Sequence, residues 1–211
     1  MEPSVQGLRK TGLALALLVG GGGLAQAEEI RYTILMDGKP IGWEVTSLAR
    51  DGDRIQVKIE TETKVKVMFL NFHYHHQRTE DWVDGRFQGM VADTDDDGSN
   101  HHVEIHRRTN GFDVVADGAR RSFEGDLLPL TLWDKAVVGQ PLLIGVVDGE
   151  VYRVQSQSMG AEQVALAGGS TAATHWHMAG EVERELWYDQ SGSLVKTTFE
   201  RRGYPIQIVR N

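Results

Sequence analysis

From residue 30 onward, apolar and polar residues alternate along much of the chain with a period of two, the spacing of a strand that buries one face. The clearest run puts Ile55, Val57, Ile59, Thr61, Thr63, Val65, Val67 and Phe69 on one side and Gln56, Lys58, Glu60, Glu62, Lys64 and Lys66 on the other. Unbroken, it would extend roughly 50 Å at strand rise, which predicts a strongly twisted or bent strand wrapping a core. At Met68, Leu70, Phe72 and Tyr74 the apolar positions become even-numbered. One inserted residue inverts the two faces, so the pattern predicts a β-bulge near 69–72. Further strands read at about 30–36, 40–50, 76–83, 86–92, 100–107, 112–116, 142–147, 150–157, 172–179, 181–188, 193–200 and 205–209.

Turn signals separate these runs. Asp-Gly occurs at 37–38, 51–52, 84–85, 97–98, 117–118 and 148–149, with Asn-Gly at 110–111 and Ser-Gly at 191–192. Such pairs tolerate the positive φ that tight hairpins require. A single stretch reads as helix: Thr131 as N-cap, Leu132 to Val138 as two turns at most, and Gly139 as the stop. The elements predict an all-β fold, a wrapped antiparallel sheet or incomplete β-barrel with one short helix crossing it.

The first 27 residues stand apart. Arg9 and Lys10 precede a short apolar run from Thr11 to Val19, and Ala25-Gln-Ala27 forms a small-x-small end. These are the three parts of a secretory signal peptide, and the run is too short for a membrane span. The expected division is a leader over 1–27 and one antiparallel β domain over 28–211, exported to the periplasm and without a membrane span once mature. Removing Glu2, Arg9 and Lys10 leaves 20 basic against 29 acidic residues, a net charge of -9 in place of -8. That balance offers no phosphate-neutralising surface, which argues against nucleic acid as a partner. The absence of cysteine removes disulfides, thiolate zinc sites, iron–sulfur clusters and cysteine nucleophiles together.

Arg31-Tyr-Thr-Ile-Leu-Met-Asp-Gly-Lys-Pro-Ile-Gly42, Glu80-Asp-Trp-Val-Asp-Gly85, Thr94-Asp-Asp-Asp-Gly98 and Leu186-Trp-Tyr-Asp-Gln-Ser-Gly-Ser-Leu-Val195 resemble segments of a family of exported bacterial proteins with a domain of unknown function. That family is similar to the lipoprotein-carrier (LolA/LolB-like) half-barrel. The resemblance implies the same wrapped sheet and assigns no activity to any residue.

Three features could carry chemistry. Asp93, Asp95, Asp97 and Glu104 fit the D-x-D-x-D-G-x5-E pattern of a calcium loop, but strand-like flanks replace the helices of an EF-hand. The eight histidines form three clusters, and residues two apart on a strand share a face. His73/His75 and His175/His177 are therefore same-face pairs, and His102, Glu104 and His106 a third same-face set. His75, His76, His102, His106, His175 and His177 are the candidate ligands for zinc, copper or nickel, held by imidazole and carboxylate alone. Finally, Phe69, Phe72, Tyr74, Trp82, Trp133, Trp176 and Trp187 are candidates to line an apolar pocket inside the barrel.

No G-x-S-x-G elbow, S-x-x-K, H-E-x-x-H or Gly-rich phosphate loop is present in the mature region, so a non-enzymatic role is preferred. The leading expectation is a periplasmic binding protein for an apolar or amphiphilic, lipid-like small molecule in a concave sheet. A metal-binding or metal-dependent protein is the alternative. No cofactor is expected beyond that divalent metal, and the sequence names no protein partner.

Overall fold

The computed structural model describes residues 26–67 and 70–211. All but the last two residues of the expected leader lie outside the described residues, as do Met68 and Phe69. The fold is all-β. Its strands are β1 (Gln26–Met36), β2 (Lys39–Asp51), β3 (Arg54–Val67), β4 (Leu70–Val83), β5 (Arg86–Asp96), β6 (Ser99–Arg108), β7 (Gly111–Ala116), β8 (Ala119–Glu124), β9 (Leu128–Pro129), β10 (Leu142–Ile144), β11 (Val151–Leu166), β12 (Gly169–Gly180), β13 (Arg184–Tyr188), β14 (Leu194–Arg201) and β15 (Tyr204–Arg210).

They make one 15-stranded sheet in the order β8-β7-β6-β5-β4-β3-β2-β1-β15-β14-β13-β12-β11-β10-β9. Two meanders are thus joined at the centre by the antiparallel pairing of β1 with β15. The strand ladder is not closed, since β8 and β9 are the sheet's two edges. Side chains bring the region of those edges together: Arg121 of β8 donates to the Asp148 carbonyl at 3.2 Å and pairs with Glu150. All pairings are antiparallel except β9 with β10.

The turns follow the sequence signals. Asp37-Gly38, Asp84-Gly85, Asp97-Gly98 and Asp117-Gly118 all have positive φ at both residues, the geometry that matches strand twist in a two-residue hairpin. Arg202-Gly203 adopts the same form, with φ of 52° and 81°.

The long run from Ile55 is not one bent strand with a bulge at 69–72. The chain reverses between Val67 and Leu70, which are paired, and Val65 and Thr63 then face Phe72 and Tyr74. In that register odd residues of β3 oppose even residues of β4, so the change of phase comes from a hairpin. Two other expected strands are shorter than read: 142–147 contributes only Leu142–Ile144, and 181–188 only Arg184–Tyr188.

The expected helix capped by Thr131 is also corrected. A β-bridge between Asp134 and Ser193 holds the chain extended through residue 134, leaving only a 3-10 helix over Lys135–Gly139. Asp134 is its cap and accepts from the Ala136 N–H at 2.8 Å. The Thr131 hydroxyl is instead buried and receives the Arg78 guanidinium.

This crossing segment fills part of the barrel. Leu127, Leu128, Trp133 and Ile144 pack against a core of Val57, Ile59, Phe87, Ile105 and Phe112 from β3 to β7. Leu130, Leu132, Val137 and Leu143 pack against a second core of Tyr32, Ile34, Met178, Leu186 and Tyr188. The segment therefore packs against both meanders and fills part of the space between them. No helix of the described residues is long and apolar enough to cross a membrane.

Candidate functional site

The inward face of β4 carries, at alternate positions, Phe72, Tyr74, His76, Arg78, Glu80 and Trp82. Three consecutive inward positions are thus ionisable, and each is supplied with partners. Glu80 is fully buried; its Oε1 accepts from Arg78 Nε at 2.9 Å, and its Oε2 accepts from the indole N–H of Trp82 at 3.1 Å and of Trp133 at 2.9 Å. Arg78 also donates to Thr131 Oγ1 at 3.3 Å and meets His76 Nε2 at 3.0 Å. A guanidinium only donates, so Nε2 is the acceptor and the His76 proton sits on Nδ1, donated to Thr94 Oγ1 at 2.7 Å. Burial and the adjacent Arg78 charge push the His76 pKa down to about 3. The network is a rivet: it fastens the crossing segment, through Thr131 and Trp133, to the wall of the sheet.

Beside it lies a cavity of about 280 Å³. Its apolar walls come from Tyr32, Ile34 and Met36 of β1, Ile59 and Val65 of β3, Phe72 and Tyr74 of β4, Phe199 of β14 and Ile206 and Ile208 of β15. Leu130, Leu132, Trp133, Val146 and Val147 of the crossing region form the opposite side. Strand alternation explains this lining, because these residues occupy alternate positions on the faces of their strands toward which the sheet curves.

Of the charged side chains that line the cavity, Glu44 and Arg184 come from different walls. Glu44 on β2 accepts from the hydroxyl of Thr61, its register partner on β3, at 2.9 Å. Burial raises its pKa above the ordinary carboxylate value, against the opposing pull of Arg78. Arg184 on β13 lies over the Phe199 ring, 4.1 Å from its centroid, and its Nε has no hydrogen-bond partner. Burial lowers its pKa to about 10, so it stays cationic at neutral pH, with Glu44 acting on it only through space. The neighbouring Thr197 hydroxyl, also on the cavity wall, is likewise without a partner.

One end of the cavity is fastened by ion pairs. Arg201 and Arg202, at the β14–β15 turn, meet Asp96 at 2.7 and 3.2 Å, and Arg202 also pairs with Asp97 at the β5–β6 turn. β5 and β14 are far apart in strand order, so these pairs span the curled sheet from wall to wall. The same two guanidiniums lie over Tyr74 and Phe72, 4.4 and 5.5 Å from the ring centroids. A polar clasp therefore covers an apolar rim.

Of the residues expected to line a pocket, Phe72, Tyr74 and Trp133 do so. Phe69 lies outside the described residues. Trp82 packs in the β3–β7 core beside Phe87 and Trp133, and Trp176 packs against the other core. Trp187 is on the opposite face of the sheet. There it stacks on His175 at 4.3 Å, receives Lys196 at 4.4 Å and donates its indole N–H to Glu162 at 2.9 Å.

The candidate metal ligands do not assemble. His76 is enclosed by Thr94 and Arg78, while His75 faces Glu60 at 3.6 Å. His102 and His106 share Glu104, and His175 and His177 share Glu185. The four calcium-loop carboxylates are dispersed: Asp93 meets His102, Asp95 accepts from Gly98 N–H, Asp97 accepts from His73 N–H, and Glu104 is carried along β6. Among the described residues no group of three or more His, Asp or Glu side chains is arranged to hold a metal ion. Sequence reasoning missed Glu44, Arg78, Arg184 and Thr197; the only signal for them was a polar residue at an inward position.

A crystallised beta-barrel-like protein of Domain of Unknown Function DUF1849 from Brucella abortus has the same fold, with a TM-score of 0.62 over 89% of this chain and 96% of that one. At 10% sequence identity the likeness concerns the fold alone. No curated protein matches the chain in sequence. Residues 32–211, nearly all of the sheet, match the model of Domain of unknown function (DUF6134), and the chain belongs to that family.

Proposed function

We propose that the protein is a non-enzymatic periplasmic binding protein that takes an apolar or amphiphilic small molecule into the concave face of its sheet. The cavity of about 280 Å³ carries this reading. Aliphatic and aromatic side chains make up most of its wall, with polar and charged groups at fixed positions among them, the usual make-up of a small-molecule site. The ionisable groups nearest to it on β4 are committed to one another, which supports binding over turnover. The N-terminal leader pattern supports the address.

Native mass spectrometry of protein purified from its own host, with organic extraction of the same sample, tests the reading. An adduct released by extraction is expected. A clean polypeptide mass in repeated preparations, together with failure to take up apolar probes, would count decisively against it. Fractionation with N-terminal sequencing tests the address, the expected first residue being Glu28.

A further inference from the structure

The cavity is not uniformly greasy, and its polar groups are placed unevenly. On the β13–β14 wall Arg184 presents a guanidinium whose Nε lacks a partner, and Thr197, also on that wall, presents a hydroxyl without one. Unpaired donors enclosed by protein are costly, because they forgo water without gaining an acceptor. On the β2–β3 wall Glu44 already accepts from Thr61. The remaining cationic groups at the cavity, Arg78, Arg201 and Arg202, each have a carboxylate at hydrogen-bond distance. Arg184 is the cavity cation whose nearest attractive charge, Glu44, reaches it only through space.

We propose that the cavity selects a single-chain amphiphile with a carboxylate headgroup, its head seated on Arg184 and Thr197 and its tail lying against the apolar wall of Ile34, Ile206 and Ile208. This rests on reading the cavity as a ligand site. A planar carboxylate matches the donor fork of a guanidinium and satisfies both orphan groups at once. The upward shift of the Glu44 pKa is compatible with the same occupant, since it lowers the cost of protonating that carboxyl when a second negative charge enters the cavity. The volume restricts the tail. At about 280 Å³ the space lies just under the roughly 300–1,000 Å³ range of ligand pockets, which favours one chain over two.

The test compares dodecanoate, dodecanol and dodecylamine, below their aggregation limits, by calorimetry on the full mature protein. Dodecanoate is expected to bind at least about tenfold more tightly than dodecanol, the scale of one charge-assisted hydrogen-bond pair. In Arg184→Gln that preference disappears while dodecanol binding is kept, and Thr197→Val reduces it in part. The comparison of headgroups on the unaltered protein does not depend on any variant folding, and circular dichroism checks those that are made. Equal affinity for the three headgroups overturns the headgroup assignment and leaves the cavity reading standing. Tightest binding of the amine overturns it in favour of Glu44 as the headgroup partner. Binding of none of the three overturns both readings.

Discussion

The indole N–H of Trp133 donates to Glu80 Oε2 at 2.9 Å across 53 residues of chain. Glu80 is fully buried, and Arg78 is almost so. Removing one member of a buried ion pair leaves the other uncompensated, at a cost of about 3–5 kcal/mol. Glu80→Leu is therefore expected to lose stability on that scale in urea unfolding, and Arg78→Met with Glu80→Leu to recover much of the loss. Trp133→Phe, which keeps most of the apolar contact, should cost about 1–2 kcal/mol. A Glu80→Leu protein within 1 kcal/mol of the parent would contradict the rivet.

His76 sets a pH dependence with a definite sign. Its folded pKa, about 3, lies below the ordinary histidine value. Between the two, the unfolded chain binds a proton that the folded chain refuses, so stability falls as pH drops, by at most about 1.4 kcal/mol per unit. Glu44 acts in the opposite direction, because its raised pKa makes the folded state the better proton binder as pH falls. The difference between parent and His76→Gln isolates the histidine. The parent should have the steeper slope of unfolding free energy between about pH 4 and 6. Equal slopes would mean that His76 protonates freely in the fold.

Gly42 faces Thr63 across the β2–β3 ladder, and a Cβ there would run into the Glu62 carbonyl oxygen. The obstacle is backbone, which cannot swing aside as a side chain can. Gly42→Ala is expected to destabilise by about 1–3 kcal/mol, the range for overpacking. Gly38→Ala meets nothing within 4 Å and is strained only through its φ of 74°. Thermal unfolding of the two variants separates steric exclusion from turn conformation, and a harmless Gly42→Ala would show that the strands can spread.

The clasp of Arg201 and Arg202 on Asp96 and Asp97 is partly exposed, so its pairs contribute little to stability, about 1 kcal/mol or less each. Their expected effect is on access. In Asp96→Asn with Asp97→Asn, a fluorescent apolar probe followed by stopped flow should associate faster, with the unfolding midpoint nearly unchanged. An unchanged association rate would place the entry elsewhere.

Much of the fold was legible because alternation and Asp-Gly pairs are local signals. The reversal between Val67 and Leu70 was not, since Met68 and Phe69 carry no turn residue and the apolar run continues through them. Arg202-Gly203 was not among the dipeptide turn signals, since arginine is not a usual first residue there, although the strands read at 193–200 and 205–209 left the break at that place. The inward His76, Arg78 and Glu80 look like surface positions, because Gln77, Thr79 and Asp81 on the other face are polar too and no contrast marks the buried side. Their partners, Thr131 and Trp133, are distant in sequence. Trp187 misled in the reverse way. Val164, Ala173 and Val195 cover the outer face of β13, so both faces of that strand are apolar and alternation cannot tell them apart.

The pairing of β1 with β15 brings the first and last strands to the middle of the sheet. Synthesis runs in the other order: the edges β8 and β9 are made midway, and the centre can be completed only after Tyr204–Arg210 has left the ribosome. Contacts between residues as distant as Tyr32 and Arg210 make the final step slow, since the longest loop must close last. Until then each meander keeps an unpaired central edge, open to the wrong partner strand. A truncation that removes only β15 is thus worse placed than one that trims β8, because it divides the sheet in two where the other merely shortens it.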